Sequence, residues 1–188
     1  MLITLIRHTT VGVPKGTCYG ATDVALADTW QEEFAHVLTR ITQQNLNQHT
    51  IYASPLSRCR LLAEHINSTV VFDNRLKEMN FGQWECRPWD AIPRQEIDDW
   101  IKDLEHTSPP DGESLGQVYQ RTSEFLSELE EKNHNDVIVI THGGVIRCML
   151  ANALNLPIKN GHRLEIDYGS FSAIRLNDRY SKVEYMNV

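Results

Sequence analysis

Short apolar runs rich in β-branched residues alternate along this chain with longer segments in which apolar residues recur at helical spacing. The runs that predict strands span residues 2–6, 51–53, 69–72 and 137–140, and the tail adds 164–168, 171–176 and 183–185. Strands that alternate with helices are typical of α/β domains, and the wholly apolar runs at 2–6 and 137–140 fit a sheet covered on both faces. At 188 residues, we expect one domain spanning residues 1–188.

The helical segments begin near capping residues. One pattern starts at Asp28, with Asp28 or Thr29 as the N-cap, and others span 56–66 and 145–154. An amphipathic helix begins at Ser114 and reaches a polar end at 130–132. The stretch 73–110 is rich in Trp, Pro and charge, and it predicts a mixture of loop and helix.

The formal charge of the chain is -7, from 18 Lys and Arg against 25 Asp and Glu. This balance argues against a nucleic-acid binder, so an anionic substrate must meet a local basic cluster. The apolar runs are too short for a signal segment or a membrane span, so we expect a cytoplasmic protein without membrane contact. Four isolated cysteines without a CxxC pair predict free thiols rather than disulfides or a zinc site.

Two of the predicted strands run directly into a histidine. Residues 2–6 precede Arg7 and His8, and residues 137–140 precede Thr141 and His142, while a third strand leads into a turn that carries Arg58. Ligands of open α/β sheets bind beyond the carboxyl ends of the strands, so these side chains should converge. Gly143 and Gly144 permit close backbone approach and open a helix whose N-terminal amides favour an anion.

This set of side chains suits a phosphate dianion. Arg7 and Arg58 can present forked donors to phosphate oxygens, and His142 can add another. His8 is then free to attack phosphorus as a neutral imidazole. Spacing alone does not single out the carboxylate that would protonate the leaving oxygen; Glu78 is one candidate, followed by Glu85 and Glu113. No second strand-end basic group is found for the other phosphate of a bisphosphate, and Lys15 in the first loop is the one alternative.

Other chemistries fit the sequence less well. Residues 112–116 match the GxSxG pattern of serine hydrolases, but the preceding loop is no strand and Ser114 resembles a helix N-cap. The chain has neither the C-x5-R spacing of cysteine phosphatases nor a GxxxxGK[ST] loop. A metal site built from His8, His142 and Glu78 would place a cation beside two arginines, so no metal and no cofactor are predicted. A phosphate-binding regulatory module without turnover is the non-enzymatic alternative.

Four blocks in order resemble the histidine phosphatase (phosphoglycerate mutase-like) superfamily. They are Leu5-Ile6-Arg7-His8, Tyr52-Ala53-Ser54-Pro55-Leu56-Ser57-Arg58, Leu76-Lys77-Glu78 with Phe81-Gly82-Gln83-Trp84-Glu85, and Thr141-His142-Gly143-Gly144-Val145-Ile146-Arg147. The resemblance implies a three-layer α/β/α sandwich around a mainly parallel sheet. It also implies His8 as the phosphorylated nucleophile, Glu78 as proton donor, and a phosphate pocket made by Arg7, Arg58 and His142, with a small phosphomonoester as ligand and the oligomeric state left open.

The short length and the Cys18 to Asp23 segment are most similar to alpha-ribazole phosphatases of cobalamin biosynthesis; phosphoglycerate mutases are generally longer. Thr9 stands where the family usually has Gly, and Pro14 where it often has Asn. The Gly143 amide is expected to donate to phosphate. The Thr9 hydroxyl either donates to phosphate as well, or Thr is merely tolerated at this position. Four aromatic residues either line the substrate mouth or pack in the core: Trp84, Trp89, Trp100 and Tyr19.

Overall fold

A computed structural model describes residues 1–132, 136–177 and 180–188 of the chain. Within these ranges the strands are β1 (Leu2–Arg7), β2 (Thr50–Ala53), β3 (Val70–Phe72), β4 (Val137–Thr141), β5 (Phe171–Asn177) and β6 (Tyr180–Tyr185). The α-helices are α1 (Trp30–Gln43), α2 (Ser57–Ile66), α3 (Arg94–Lys102), α4 (Leu115–Glu131) and α5 (Gly143–Ala153). Short 3₁₀ turns span Asn74–Leu76, Gly82–Trp84, Trp89–Ala91 and Ile158–Arg163.

The strands form one mixed sheet in the order β3-β2-β4-β1-β5-β6. The pairs β2–β3, β2–β4 and β1–β4 are parallel, whereas β5 pairs antiparallel with both β1 and β6. The mainly parallel sheet predicted from the sequence is therefore confirmed, with two antiparallel strands added at one edge.

Two apolar cores cover the two faces of the sheet, because alternate residues of each central strand point to opposite sides. Ile3 and Val139 pack with residues of α4 and α5, whereas Ile6 and Ile140 pack with residues of α1 and α2. This arrangement confirms the three-layer sandwich. A smaller cluster around Trp84 joins the 3₁₀ turns to α3. That the chain is one domain stays a prediction.

The local structure around Ser114 contradicts the serine-hydrolase interpretation. Ser114 caps α4: its Oγ accepts the Gln117 amide at 3.3 Å, and the Gln117 side chain accepts the Ser114 amide at 2.8 Å. These reciprocal bonds satisfy two amides that would otherwise lack partners at the start of the helix. Turns and irregular backbone precede Ser114, so the strand that a nucleophile elbow requires is missing there.

One predicted strand is wrong. Residues 164–168 are irregular, although Ile166 is buried. The carbonyl of Ile166 accepts a bond from Arg7 and that of Leu164 accepts one from Arg147, so guanidinium groups take the place of a strand partner here. The apolar pattern of this segment reflects packing of Ile166 against the core and not a place in the sheet.

Candidate active site

The parallel register brings three chain segments to one edge of the sheet. Arg7 of β1 lies opposite Thr141 of β4, so His8 and His142 follow side by side at the carboxyl ends of these strands. Their ring centroids are 5.1 Å apart. Ala53 of β2 lies opposite Ile140, and the chain then turns into α2, which carries Arg58 to the same edge. The predicted convergence of strand ends is present in the structure.

His8 is buried, with 1% of its surface exposed. Its Nδ1 lies 2.7 Å from the carbonyl oxygen of Thr9. Because a carbonyl oxygen only accepts hydrogen bonds, Nδ1 carries the proton and Nε2 keeps its lone pair. Burial lowers the pKa of His8 well below its usual value, and the positive charges of Arg58 and Arg7 lower it further. The ring is therefore neutral near pH 7, with an unprotonated Nε2.

Arg58 is fully buried and is held by backbone oxygens. Its Nη1 donates to the Thr22 carbonyl at 2.9 Å and its Nη2 to the Gly20 carbonyl at 2.5 Å. Its Nε donates to Nδ1 of His142 at 3.2 Å. No carboxylate of the described residues pairs with this guanidinium, so its charge stays available to an anion.

Arg7 is the last residue of β1 and directly precedes His8. Its Nη1 donates to the Ile166 carbonyl at 2.6 Å, and its Cζ lies 3.7 Å from the ring centroid of Tyr168. Its Nε is buried and lacks a hydrogen-bond partner in the described part of the chain. A ligand with several acceptor oxygens would suit this unsatisfied donor, because buried polar groups are normally hydrogen-bonded.

His142 uses both ring nitrogens on protein groups. Nδ1 accepts from Arg58, so Nε2 carries the proton and donates to Oγ of Ser54 at 2.8 Å. Burial lowers the pKa of His142, and His8 and Arg58 lower it further. For His142 to donate to phosphate, as the sequence predicts, its ring must release one of these two partners. The predicted role of His142 therefore stays a prediction.

Glu78 lies at the N-terminus of α5. Its Oε2 accepts the Gly144 amide and its Oε1 accepts the Met79 amide, each at 3.0 Å. A Cβ atom at residue 144 would lie 2.4 Å from Oε1 of Glu78, which explains why glycine occupies this position. Glu78 and His8 line the same cavity, so the carboxylate and the imidazole face one ligand.

The two other carboxylate candidates are already engaged in holding loops. Glu85 accepts four backbone amides, those of Gly20, Ala21, Thr22 and Phe81. Glu113 accepts the Asn80 amide and pairs with Arg121 at 3.0 Å. Neither carboxylate lines the cavity. Of the three candidates, Glu78 alone is in a position to meet a ligand there.

Thr9 and Gly143, like Arg58 and His142, do not line the cavity itself. The Oγ1 of Thr9 is buried and has no hydrogen-bond partner among the described residues. A Cβ at residue 143 would lie 3.4 Å from Nε of Arg7 and 3.3 Å from Nη1 of Arg147, so Gly143 allows both guanidinium groups to pack on the start of α5. The predicted phosphate contacts of Thr9 and Gly143 stay predictions.

A cavity of about 490 Å³ opens in front of His8. Of the four aromatic residues for which the sequence left two alternatives, Tyr19, Trp89 and Trp100 line this cavity. Trp84 instead packs in the core, and its Nε1 donates to Glu96 at 2.8 Å. Sequence reasoning missed several lining residues, which are Phe81, Arg147, His162 and Tyr168. Helical spacing is the one signal for Arg147, because it lies four residues after Gly143 on the same face of α5.

Arg147 is a basic group that the sequence prediction did not include. The strand ends carry no second basic group, and the guanidinium of Arg147, which lines the cavity with that of Arg7, comes from the second turn of α5. Lys15 is exposed and does not line the cavity.

Two further findings concern metals and membranes. Among residues 1–132, 136–177 and 180–188, no three His, Cys, Asp or Glu side chains are grouped as metal ligands, so His8, His142 and Glu78 do not form such a set. None of the helices in the described part of the chain is both long and apolar enough to cross a membrane.

Comparison with known proteins adds independent findings. A family model for the histidine phosphatase superfamily (branch 1) matches residues 3–188. The adenosylcobalamin/alpha-ribazole phosphatase of Escherichia coli (strain K12) is 27% identical over an alignment of 173 residues, and the match covers 81% of this chain and 85% of that protein. A probable phosphoglycerate mutase, GpmB, of Erwinia tasmaniensis is 28% identical over an alignment of 180 residues, and the match covers 90% of this chain and 82% of that protein.

A solved structure is similar along the whole chain. The alpha-ribazole phosphatase from Shigella flexneri superposes with a TM-score of 0.89 at 25% sequence identity, and the match covers 100% of this chain and 96% of that chain. The similarity therefore includes the loops and helices around the cavity as well as the strand-end motifs.

The lowered pKa of His8 predicts a loss of stability in acid. Below about pH 6.5 the unfolded chain binds a proton at this imidazole, whereas the buried ring of the folded chain stays neutral. The free energy of unfolding should therefore fall as the pH drops below 6.5, by at most about 1.4 kcal/mol per pH unit for this group. Denaturant titrations between pH 7.5 and 5 measure the slope, and His8→Asn should reduce it. His36→Asn, which removes an exposed imidazole from α1, is the control, and equal slopes in wild type and His8→Asn would contradict a neutral His8.

Proposed function

The chain belongs to the histidine phosphatase superfamily and is a phosphoric monoester hydrolase, and from this premise we propose that it hydrolyses alpha-ribazole 5′-phosphate through a phosphohistidine at His8. The single observation that carries the mechanism is the state of the His8 ring. Its Nδ1 proton is held by the Thr9 carbonyl, so Nε2 is unprotonated beside two guanidinium groups. This is the state that a nitrogen nucleophile needs near neutral pH.

The proposed reaction has two displacements at phosphorus. In the first, Nε2 of His8 forms a bond to phosphorus, the P–O bond to the leaving group breaks, and Glu78 donates a proton to the departing oxygen. In the second, water attacks phosphorus, Glu78 takes a proton from it, and the P–N bond breaks to restore neutral His8. The products are an alcohol and inorganic phosphate, and the proton lent by Glu78 is returned. No step draws on a metal or a cofactor.

One buried and one half-buried cation support the binding of the phosphoryl group. Arg7 and Arg58 have no carboxylate partner in the described residues, and burial strengthens their attraction for an anion. A phosphate dianion would neutralise their two charges and accept the unpartnered Nε proton of Arg7. We assign Thr9, His142 and the Gly143 amide to the same pocket as further donors.

The substrate assignment has a physical support and a comparative one. Trp89 and Trp100 line the cavity with their rings inclined by only 22°, which offers an aromatic wall for the base of a ribonucleoside 5′-phosphate. A volume near 490 Å³ suits a ligand of that size. Relatives named alpha-ribazole phosphatases favour this nucleotide, and hence a cytoplasmic step in the assembly of the cobalamin nucleotide loop.

Arg147 supports a second candidate activity, that of a phosphoglycerate mutase. A mutase must hold a bisphosphate, and Arg147 supplies the further cation at the cavity that this requires. A relative named as a probable phosphoglycerate mutase is consistent with this alternative. The regulatory-module alternative is disfavoured because the chain is a hydrolase.

The first prediction concerns the covalent intermediate. Wild-type enzyme is mixed with a ³²P-labelled substrate, and the reaction is then quenched. The protein should keep its label when it is incubated in base and lose it when it is incubated in acid, as expected of phosphohistidine. His8→Ala should carry no label and lose nearly all turnover, because the nucleophile is missing. Substantial turnover by His8→Ala, or loss of wild-type activity on treatment with a chelator, would refute the mechanism.

The second prediction concerns proton donation. Glu78→Gln should lower kcat on an alkyl phosphate by roughly 10²–10⁴-fold, because the alkoxide then leaves without a proton. The loss on p-nitrophenyl phosphate should be much smaller, since that leaving group needs little protonation. Glu113→Gln is the matched control, because this carboxylate holds a loop outside the cavity. Equal losses on both substrates would move the proton donor to another residue.

The third prediction concerns the substrate. We expect kcat/KM to be highest for alpha-ribazole 5′-phosphate, followed by AMP and then 3-phosphoglycerate, which has no base to stack and should lag by roughly tenfold or more. Mutase activity should be absent when 2,3-bisphosphoglycerate is supplied. Preference for 3-phosphoglycerate, or efficient mutase turnover, would overturn the substrate and leave the His8 chemistry intact.

A further inference from the structure

Arg147 lies on the cavity wall but has no part in the chemistry proposed at His8. The side chain is half-buried on α5, and its Nε donates to the Leu164 carbonyl at 2.8 Å. Its two terminal nitrogens bond to no group in the described part of the chain, and no carboxylate there lies within ion-pair distance. Burial lowers the pKa of Arg147, yet a guanidinium keeps its proton in proteins.

The position of Arg147 relates it to the leaving group. Its Nη1 and the guanidinium of Arg7 pack on the same residue, Gly143. The next amide, that of Gly144, holds the carboxylate of Glu78. Because Glu78 is the group proposed to protonate the leaving oxygen, Arg147 flanks the part of the cavity into which the leaving group extends.

The two free donor groups of Arg147 are available to acceptor atoms of a ligand in the cavity. Arg7 and Arg58 already balance the charge of a phosphate dianion, so a further cation is not needed there. The planar fork of a guanidinium matches two oxygen atoms that lie side by side. The bond from Nε to Leu164 fixes the plane of this fork before the ligand arrives, which reduces the entropy lost on binding.

We propose that Arg147 is a specificity-determining residue that binds a pair of oxygen atoms on the leaving group. A ribose 2′,3′-diol and a carboxylate within two carbons of the phosphorylated carbon both present such a pair. The inference rests on the proposed phosphatase reaction, but it does not depend on which base, if any, the substrate carries. It assigns to Arg147 the selection between phosphomonoesters, while Arg7 and Arg58 bind the phosphate that all of them share.

The test crosses two variants with four substrates. Arg147→Met removes the charge and the fork, and Arg147→Lys keeps the charge but loses the fork. The substrates are AMP, which has the diol, 2′,3′-dideoxy-AMP, which lacks it, 3-phosphoglycerate, which has a carboxylate, and phenyl phosphate, which has neither. Arg163→Met is the matched control, because Arg163 is exposed in the nearby 3₁₀ turn and does not line the cavity.

We expect Arg147→Met to lower kcat/KM on AMP by about 10- to 100-fold. The change should appear mainly in KM, because bonds to the diol exist before and during the reaction. The losses on phenyl phosphate and on 2′,3′-dideoxy-AMP should each be at least about tenfold smaller than the loss on AMP. Arg147→Lys should fall between wild type and Arg147→Met on AMP.

Other outcomes are equally decisive. A large loss on 3-phosphoglycerate with none on AMP would support the proposal and identify the oxygen pair as a carboxylate. Equal losses on all four substrates in both variants would overturn it, since Arg147 would then serve the phosphoryl group or the fold. No loss on either AMP or 3-phosphoglycerate would overturn it as well. Failure of the proposed function would be seen separately, as turnover by His8→Ala or a low rank for alpha-ribazole 5′-phosphate.

Discussion

Positive charge buried at the carboxyl ends of the parallel strands is the constraint on which the rest of this structure depends. Arg58 is fully buried, and its N–H groups reach backbone carbonyls and one imidazole rather than a carboxylate. Carbonyl oxygens satisfy the hydrogen bonds of a guanidinium but do not neutralise its charge. The pocket therefore stays cationic, which leaves an attraction for an anion. Burial lowers the pKa of His8 and of His142, and this positive charge lowers both pKa values further, so the two rings stay neutral.

A carboxylate, that of Glu85, contributes to the pocket indirectly, through the loop that contacts Arg58. Glu85 accepts the amides of Gly20, Ala21 and Thr22, and this fixes the loop whose carbonyls hold Arg58. Had Glu85 paired directly with Arg58, the ion pair would have cancelled the charge that phosphate needs. Placing the acid on backbone amides instead keeps the loop rigid and the pocket positive. Because its oxygens are occupied by these amides, Glu85 is a poor candidate for the proton donor.

Residues that directly follow strands could be predicted from the sequence, whereas residues contributed by distant loops could not. His8 and His142 come immediately after apolar β-branched runs, and in a parallel sheet such positions meet at one edge. The apolar pattern around Tyr168 predicts a strand, because it does not reveal that Arg7 and Arg147 bond to the carbonyls of this segment. For Arg147 the local signal is helical spacing from Gly143, but its place on the cavity wall depends on how α5 packs, which that spacing does not encode.

The division between a fixed pocket and a variable wall follows from the same geometry. The phosphate pocket is built from strand ends, and its parts are held by main-chain bonds within the sheet and by the first turn of α5. The rest of the cavity wall comes from loop, 3₁₀ and helix residues such as Trp89, Trp100 and Tyr168, which lie outside the strands. Changes in those segments can alter the leaving group that fits without disturbing the register of β1 and β4. The fold therefore constrains the phosphoryl chemistry tightly and the substrate only loosely. Arg147 lies between the two, because it extends from the helix that begins at the phosphate pocket to the wall that contacts the leaving group.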